Sequence, residues 1–242
     1  MLFKLALGPV LLWQARGVRQ RALILPEPEG EREGVVQGAA ASALRLLIVG
    51  DSSAAGVGCR TQDEALAGHL SQMLMHASGR TVHWQLVARS GVASPRAVTL
   101  LDEHTLRESD VAVVVVGVND VAEQLPIAAA LAARETLVQR LRERSRVRHV
   151  VFAPLPPMHQ FPLLPQPLRT FAGREARRLN AAQAAWAARQ QAVTHVHIDD
   201  VQLGPHNMAA DGYHPGPAVY RHCAQAIAQH IAQRVLPGLR VT

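Results

Sequence analysis

The sequence predicts a doubly wound α/β fold, in which helices cover both faces of a parallel β-sheet. From residue 44 onward, short apolar runs alternate with longer segments of helical periodicity. The apolar runs are apolar at every position, as in the Val-Ala-Val-Val-Val-Val of residues 111–116. A strand that is buried on both faces requires such a run. The chain of 242 residues is long enough for one large domain with a sizeable core and short for two.

Five strands and five long helices follow from this pattern. The strands are predicted at residues 44–49, 82–87, 111–116, 149–153 and 193–198. The helices are predicted at residues 63–78, 95–108, 127–144, 171–191 and 217–235. Strands that alternate with helices imply right-handed crossovers within one sheet, and such sheets carry their functional sites at the carboxyl ends of the strands. We therefore assign residues 44–242 to one α/β domain.

Residues 1–43 are predicted to be an N-terminal segment and linker outside that domain. Residues 1–13 are apolar apart from one lysine, whereas a membrane-spanning helix needs about 20 residues. Arginines at positions 16, 19 and 21 stand where a signal peptide would have its small-residue cleavage site, so we expect a cytoplasmic location rather than secretion. An apolar stretch followed by arginines favours peripheral membrane contact or self-association. Residues 26–38, rich in Glu, Gly and Pro, are interpreted as the linker.

The composition argues against several classes of protein. The net charge of +6 would suit an acidic partner, but the arginines are dispersed and aromatic residues make up only 4%. A nucleic-acid platform is therefore not expected. Lys4 is the only lysine. P-loop and pyridoxal-phosphate enzymes are excluded because each needs a lysine inside the folded domain.

The first candidate site residue is Ser52, which follows the first predicted strand. It lies in the sequence Gly-Asp-Ser-Ser-Ala-Ala-Gly of residues 50–56. The small neighbours allow a tight turn and let a substrate approach the hydroxyl, so Ser52 could act as a nucleophile. The same sequence also suits a helix-capping serine or a phosphate-binding turn.

The second candidate is the pair of Asp211 and His214, which precedes the Pro-Gly-Pro of residues 215–217. Their spacing can bring the carboxylate to Nδ1 of the imidazole within one loop turn. There it would fix the tautomer and stabilise the imidazolium that forms when a serine loses its proton. A surface histidine in an Asp-Gly turn is the alternative, and His206 is the nearest competitor for the role of base.

The third candidate is Asn119, which follows a glycine at the end of a buried strand. A polar amide there must find a partner or face a site. Its Nδ2–H could stabilise the oxyanion of a tetrahedral intermediate, and the backbone N–H of Gly91, after the second strand, could donate to the same oxygen. Asn119 could instead cap the following turn, as could Asp120.

Taken together, these short motifs predict hydrolysis of acyl esters. Each follows a strand or lies in a late loop, so a doubly wound sheet would place them at one edge. The alternative of another class is a non-catalytic module that binds a phosphate or a sugar at its first loop. Such a module has no need for His214 or Asn119, and both are present.

The motifs resemble those of the SGNH hydrolases, also called GDSL esterases and lipases, over residues 44–236. The resemblance implies a three-layer α/β/α flavodoxin-like sandwich with a five-stranded parallel sheet. It also implies that Ser52 is the nucleophile, His214 the base and Asp211 its orienting carboxylate. Gly91 and Asn119 would form the oxyanion hole with the Ser52 amide. No cofactor and no metal are implied. The chain departs from the family pattern at Ser53, where many members have leucine.

The loop at residues 154–165 begins at a strand's carboxyl end and should overhang the site. It carries four apolar side chains that we predict to line an acyl pocket: Met158, Phe161, Leu163 and Leu164. They could instead pack into the core. We expect a small-molecule ester of short-to-medium acyl chain length as the substrate. O-acetylated sugars, lysophospholipids and thioesters are alternatives within the same family.

Overall fold

The computed structural model describes the backbone of residues 2–198 and 201–239, and the side chains of residues 7–198 and 201–239. Six strands form the central sheet: β1 (Glu33–Val36), β2 (Ala40–Gly50), β3 (Arg80–Ala88), β4 (Val111–Val115), β5 (His149–Phe152) and β6 (Val193–His195). The helices are α1 (Leu2–Arg21), α2 (Ser52–Ala55), α3 (Leu66–Ser78), α4 (Ser94–Asp102), α5 (Val118–Ala122), α6 (Ile127–Ser145), α7 (Leu168–Ala187) and α8 (Pro217–His230). Three 3₁₀ turns (Gln62–Glu64, Met158–Gln160 and Leu236–Gly238) and a π-helical turn (Ile231–Val235) complete the described elements. Residue 1 of the predicted segment 1–43, and residues 199–200 and 240–242 of the predicted segment 44–242, lie outside the described part.

The strand order is β1-β3-β2-β4-β5-β6, and all neighbours except β1 and β3 are parallel. The chain runs from β2 to β3 on one side and then crosses to β4 on the other side of β2. The loops at the carboxyl ends of β2 and β4 therefore run apart and leave a crevice between them. Open α/β sheets bind ligands at such a crevice.

Two apolar layers enclose the sheet, one on each face. Leu46 and Ile48 of β2 belong to the buried cluster that includes side chains of α3 and α8. Leu47 and Val49 belong to the cluster that includes side chains of α4, α6 and α7. This alternation explains why the predicted strands are apolar at every position, because both faces of β2 are covered. The predicted three-layer α/β/α fold is confirmed.

The sixth strand corrects the predicted count of five and the prediction of a linker at residues 26–38. β1 lies within that segment and pairs antiparallel with the edge of β3. Its four residues are half-buried or exposed. A strand in such a position needs no continuous apolar run, so the sequence does not mark it. Gly34 lies so close to Trp84 that an added Cβ would be 2.9 Å from the indole nitrogen. Contact with β3, rather than local propensity, makes this segment a strand.

The element boundaries differ from the predicted ones by a few residues at several ends. The helix predicted at 63–78 begins at Leu66, because Gln62–Glu64 form a 3₁₀ turn. The strand predicted at 193–198 has only three residues, Val193–His195. Such differences are expected at the ends of elements, where tertiary contacts decide the last turn.

The apolar N-terminal stretch and the arginines after it form one helix of 20 residues, α1. Gln14 joins this helix to the start of α7: its Nε2 donates to the Gln166 carbonyl at 2.6 Å, and its Oε1 accepts from the Leu168 amide at 3.1 Å. Val18 packs against the apolar cluster formed by the loops above the sheet and α7. Within the described part of the chain, no helix has both the length and the apolar character needed to cross a bilayer.

Candidate active site

Ser52 is the first residue of α2, directly after β2. Gly50 ends the strand in close contact with β4, where an added Cβ would lie 2.1 Å from the Val115 carbonyl oxygen. Asp51 caps the helix by accepting a hydrogen bond at Oδ1 from the Ser53 amide at 2.9 Å. The turn thus places Ser52, a residue that is 9% exposed, at the crevice beside β4.

Asp51 is buried behind this turn and is 1% exposed. Burial raises the pKa of Asp51 to about 7, although hydrogen bonding to Ser53 and the charge of His214 oppose the shift. A carboxyl group that titrates near neutral pH therefore lies next to the serine.

His214 connects Ser52 with Asp211. The Nε2 atom of His214 lies 2.9 Å from Oγ of Ser52, and its Nδ1 atom lies 2.5 Å from Oδ2 of Asp211. The other carboxylate oxygen of Asp211 accepts from the amides of Tyr213 and His214 at 2.9 and 3.0 Å. Burial would raise the pKa of Asp211, but its hydrogen bonds, chiefly those from His214, lower it on balance. The carboxylate is therefore ionised at neutral pH, and His214 can accept a proton from the serine.

Aromatic packing holds the imidazole in this position. The ring of Tyr213 meets that of His214 edge-on at a centroid distance of 5.3 Å, and Phe161 packs on Tyr213 at 5.1 Å. His206, the competing candidate for the base, is exposed in a turn at residues 204–207. The structure thus brings His214, and not His206, to Ser52.

Gly91 comes from the loop after β3, and Asn119 comes from α5, the short helix after β4. Gly91 is exposed in a tight turn with a φ of +78°. Nδ2 of Asn119 donates to the carbonyl of Val92 at 3.1 Å, which ties α5 to the loop after β3. Because an amide nitrogen carries two hydrogens, one N–H of Asn119 is left to donate to a ligand.

A buried ion pair below these loops was missed by the sequence analysis. Arg134 of α6 and Asp120, next to Asn119, are both 0% exposed, and Nη1 of Arg134 lies 3.0 Å from Oδ2 of Asp120. The carboxylate of Asp120 also accepts from the amide and hydroxyl of Ser94 at 2.7 and 2.6 Å. The pair thus joins α5, which carries Asn119, to α4, which follows Gly91. Arg134 lies on the same helix face as the buried residues Ala130 and Leu137, and that position was the available signal.

Two more polar side chains extend this network to β6. Nε of Arg134 donates to Oε1 of Gln183 at 2.7 Å, and Nε2 of Gln183 donates to Nδ1 of His195 at 2.8 Å. Since Nδ1 of His195 accepts this bond, the ring is neutral. Burial, with the charges of His197, His230 and Arg134, lowers the pKa of His195 to about 4.

A cavity of about 870 Å³ opens beside His214, and we call it the α1 cavity. Its lining includes Leu11, Ala15 and Val18 of α1, Met158, Leu163 and Leu164 of the loop after β5, and Asp211, Tyr213 and His214. Three of the four predicted pocket residues thus lie on its wall. The fourth, Phe161, is buried against the ring of Tyr213. Its position agrees with the alternative that these side chains pack into the core. The contribution of α1 was not predicted, because the N-terminal segment was assigned outside the domain.

Residues 48–222 match the model of the GDSL-like lipase/acylhydrolase family. The chain belongs to this family. The resemblance to the GDSL hydrolases is confirmed, and the matched region contains all the predicted site residues. The GDSL-like esterase Rv1075c of Mycobacterium tuberculosis is 28% identical over 191 residues, which are 76% of this chain. The chain spans about 60% of the length of that curated relative.

Solved structures have a similar fold. The lipase Lip_vut3 from a goat rumen metagenome superposes with a TM-score of 0.63 at 14% identity, covering 79% of this chain and 99% of that one. The psychrotrophic esterase EstA of Pseudoalteromonas sp. superposes with a TM-score of 0.56 at 17% identity, covering 77% of this chain and 96% of that one. At such identities the likeness concerns the fold.

Proposed function

We propose that this GDSL-family protein is a serine esterase that hydrolyses carboxylic esters with short-to-medium acyl chains through an acyl-enzyme on Ser52. The observation that carries the proposal is the continuous set of hydrogen bonds from Asp211 through His214 to Ser52, with 2.5 and 2.9 Å between the heavy atoms. A nucleophile, a base and an orienting carboxylate in this order are the arrangement that acyl transfer requires.

In the proposed reaction, Nε2 of His214 takes the proton of Ser52 as Oγ attacks the ester carbonyl carbon. The carbonyl oxygen becomes an oxyanion, which the N–H groups of Ser52, Gly91 and Asn119 stabilise. When the tetrahedral intermediate collapses, the C–O bond to the alcohol breaks and the imidazolium protonates the leaving oxygen. Water, deprotonated by His214, then attacks the acyl-enzyme and releases the acid and Ser52. These steps need neither a metal nor a cofactor.

Carbohydrate O-acetyl esters, lysophospholipids and thioesters undergo the same steps, so their hydrolysis is a variant of this proposal. The α1 cavity favours an aliphatic acyl chain, because leucine, valine, alanine and methionine side chains line it next to His214. A phosphate- or sugar-binding module is the alternative of a different class. It gives no reason for a histidine hydrogen-bonded to both a serine and a buried carboxylate.

The deciding experiment measures hydrolysis of p-nitrophenyl esters from acetate to laurate by the wild type, Ser52→Ala and Ser53→Ala. We expect Ser52→Ala to lower kcat by about 10⁶, with an unchanged melting temperature. Ser53→Ala is the matched control because Ser53 bonds Asp51 through its backbone amide, which alanine retains. EstA is described as inhibited by monoethylphosphonate, so an activated phosphonate ester is a second probe. We expect its adduct on Ser52, and an active Ser52→Ala protein would refute the proposal.

We also propose that α1 contacts an anionic membrane surface while the protein stays peripheral and cytoplasmic. Five large apolar side chains are exposed in and just after this helix: Val10, Leu12, Trp13, Leu23 and Ile24. Three arginines accompany them, and no acidic residue precedes Glu27. This combination suits a helix at a negatively charged lipid interface.

Flotation with phosphatidylglycerol vesicles tests this contact. We expect Trp13→Glu to lower the bound fraction severalfold, and neutral phosphatidylcholine vesicles to bind less of the wild type. Particle mass is measured alongside. A dimer that Trp13→Glu dissociates, without vesicle binding, would assign the surface to self-association instead.

A further inference from the structure

One face of α1 forms a wall of the α1 cavity. Gly8, Leu11, Ala15 and Val18 line the cavity at intervals of three or four residues and so form one stripe of the helix. The longer side chains of Leu12, Arg16 and Arg19 line the cavity from beside this stripe. Leu11 is buried, although it belongs to a segment whose other large apolar side chains are mostly exposed. The helix therefore has an inner face toward the cavity and an outer face toward solvent.

Hydrogen bonds attach α1 to both sides of the cavity. Gln14 binds the backbone at Gln166 and Leu168 through both atoms of its amide. At the other side, Nη2 of Arg19 donates to the carbonyl of Ala122 at 3.4 Å, at the end of the helix that carries Asn119. The position of the helix is thus set by polar contacts as well as by the packing of Val18.

Most of the remaining lining residues are apolar, and the polar ones include Glu123 and Gln124. Met158, Leu164 and Phe171 line the cavity together with α1. Asp211 and His214 line it as well, and His214 connects it to Ser52 through the hydrogen bond at Oγ. The volume of about 870 Å³ lies within the range of roughly 300–1,000 Å³ that small-molecule sites occupy. An ester with an aliphatic acyl chain has the matching shape, since its carbonyl belongs beside His214 and its chain needs an apolar channel.

We propose that α1 is the outer wall of the acyl-chain pocket and that Leu11, Ala15 and Val18 determine which chain lengths the enzyme accepts. The inference rests on the proposed esterase function. It makes the N-terminal helix part of the substrate site, rather than a segment that only precedes the hydrolase domain. A chain of a few carbons reaches only the end near His214, while a longer chain must pass along the helix.

The test places the same phenyl group on the two faces of α1. Ala15→Phe and Val18→Phe project into the cavity, and Gln20→Phe is the matched control because Gln20 is exposed and does not line it. The readout is the ratio of kcat/KM for p-nitrophenyl octanoate to that for the acetate. We expect this ratio to fall at least roughly tenfold in Ala15→Phe, since a misfit of even one methylene in an apolar pocket costs about 10- to 200-fold. Gln20→Phe should keep the wild-type ratio.

The converse change widens the pocket. Leu11→Ala should move the optimum of the ester series toward longer chains, and it requires no added bulk to be accommodated. Melting temperatures show which variants fold. A wild-type ratio in the folded variants, or an equal loss for acetate and octanoate, would overturn the role of α1. Failure of the esterase proposal is separate, because it would appear as hydrolysis that Ser52→Ala does not abolish.

Discussion

Two pairs, Asp211 with His214 and Asp120 with Arg134, each join a carboxylate to a basic side chain, and they differ in their exposure to solvent. In the pair of Asp211 and His214, the histidine side chain is 18% exposed and faces both the serine and a cavity. In the pair of Asp120 and Arg134, both side chains are 0% exposed. A group that is proposed to take and release a proton must reach a substrate. A group that holds helices in place has only to keep its charge and its partners.

The chemistry of the cation follows the same division. Imidazole changes its charge near neutral pH, whereas guanidinium is always charged and provides five donors in a fixed plane. Arg134 uses Nη1 on Asp120, Ser94 and the Ala130 carbonyl, and Nε on Gln183. The first pair suits a reaction and the second suits a scaffold.

The largest effect expected from this comparison is on turnover. Asp211→Asn should lower kcat by about 10⁴, because an amide at this place favours the wrong tautomer of the histidine. The oxygen of asparagine can still accept the backbone bonds from Tyr213 and His214, so the melting temperature should change little. Turnover of the best p-nitrophenyl ester is measured. A loss of less than tenfold would remove Asp211 from the proposed machinery.

A substitution in the buried pair of Asp120 and Arg134 should lower the stability of the fold. Arg134→Met leaves the Asp120 carboxylate buried without its countercharge, which should lower the free energy of unfolding by about 3–5 kcal/mol. Urea denaturation measures the change. Arg140→Met on the same helix is the matched control: Arg140 is 46% exposed and pairs with Glu143 at 3.5 Å, so its loss should cost about 0–1 kcal/mol. Equal effects of the two substitutions would contradict the structural role of the buried pair.

Asn119 and Asp120 are adjacent in sequence, but we expect a substitution of Asn119 to change turnover rather than stability. Asn119→Ala should reduce kcat by about 10²–10³, the typical effect of removing one oxyanion donor. The KM should change less, because the bond to the oxyanion forms fully only in the transition state. Loss of the bond to Val92 could also loosen the loop, so amide hydrogen exchange around residue 92 is the control. Unchanged kcat would show that another group stabilises the oxyanion.

The smallest expected effect is on the pH dependence of stability. It concerns His195, which ends the hydrogen-bond network of Arg134 and Gln183. The pKa of His195 is about 4 in the folded protein and about 6.5 in an unfolded chain. Between these values the unfolded state binds more protons, so the free energy of unfolding falls as the pH is lowered from about 6.5 to 4. His195→Asn, whose oxygen can accept from Gln183, should show a shallower slope in urea titrations. The exposed His76, replaced in the same way, is the control, and parallel slopes for His195→Asn and the wild type would refute this prediction.

Most of the fold could be predicted because each central strand is buried on both faces. The apolar runs at residues 111–116 and 149–153 have the length and composition that a strand covered on both faces requires. The strand β1 could not be predicted in this way, since its residues are half-exposed and its pairing depends on the edge of β3. Local composition favoured a linker there, and a distant neighbour made it a strand.

The same division holds for the site. The residue types and order of Ser52, Asp211 and His214 indicated acyl-ester hydrolysis, because few other chemistries use them together. Their contact, at 2.9 Å across 162 residues of sequence, depends on how β2 and the late loop end at one edge of the sheet. Arg134 appeared in sequence only as a charge in a helix, and its burial against Asp120 depends on helix packing.

By itself, the sequence determined the alternation of buried strands and helices and the chemical groups available at the strand ends, since local patterning decides which faces must be buried. Only the tertiary structure decided what covers the site. The helix α1 is apolar on more than one side, so its sequence allows it to meet a membrane, a second subunit or its own domain. Gln14 and Arg19 form hydrogen bonds to backbone carbonyls that are distant in sequence. These bonds hold one face of the helix against its own domain, where it lines a cavity together with His214.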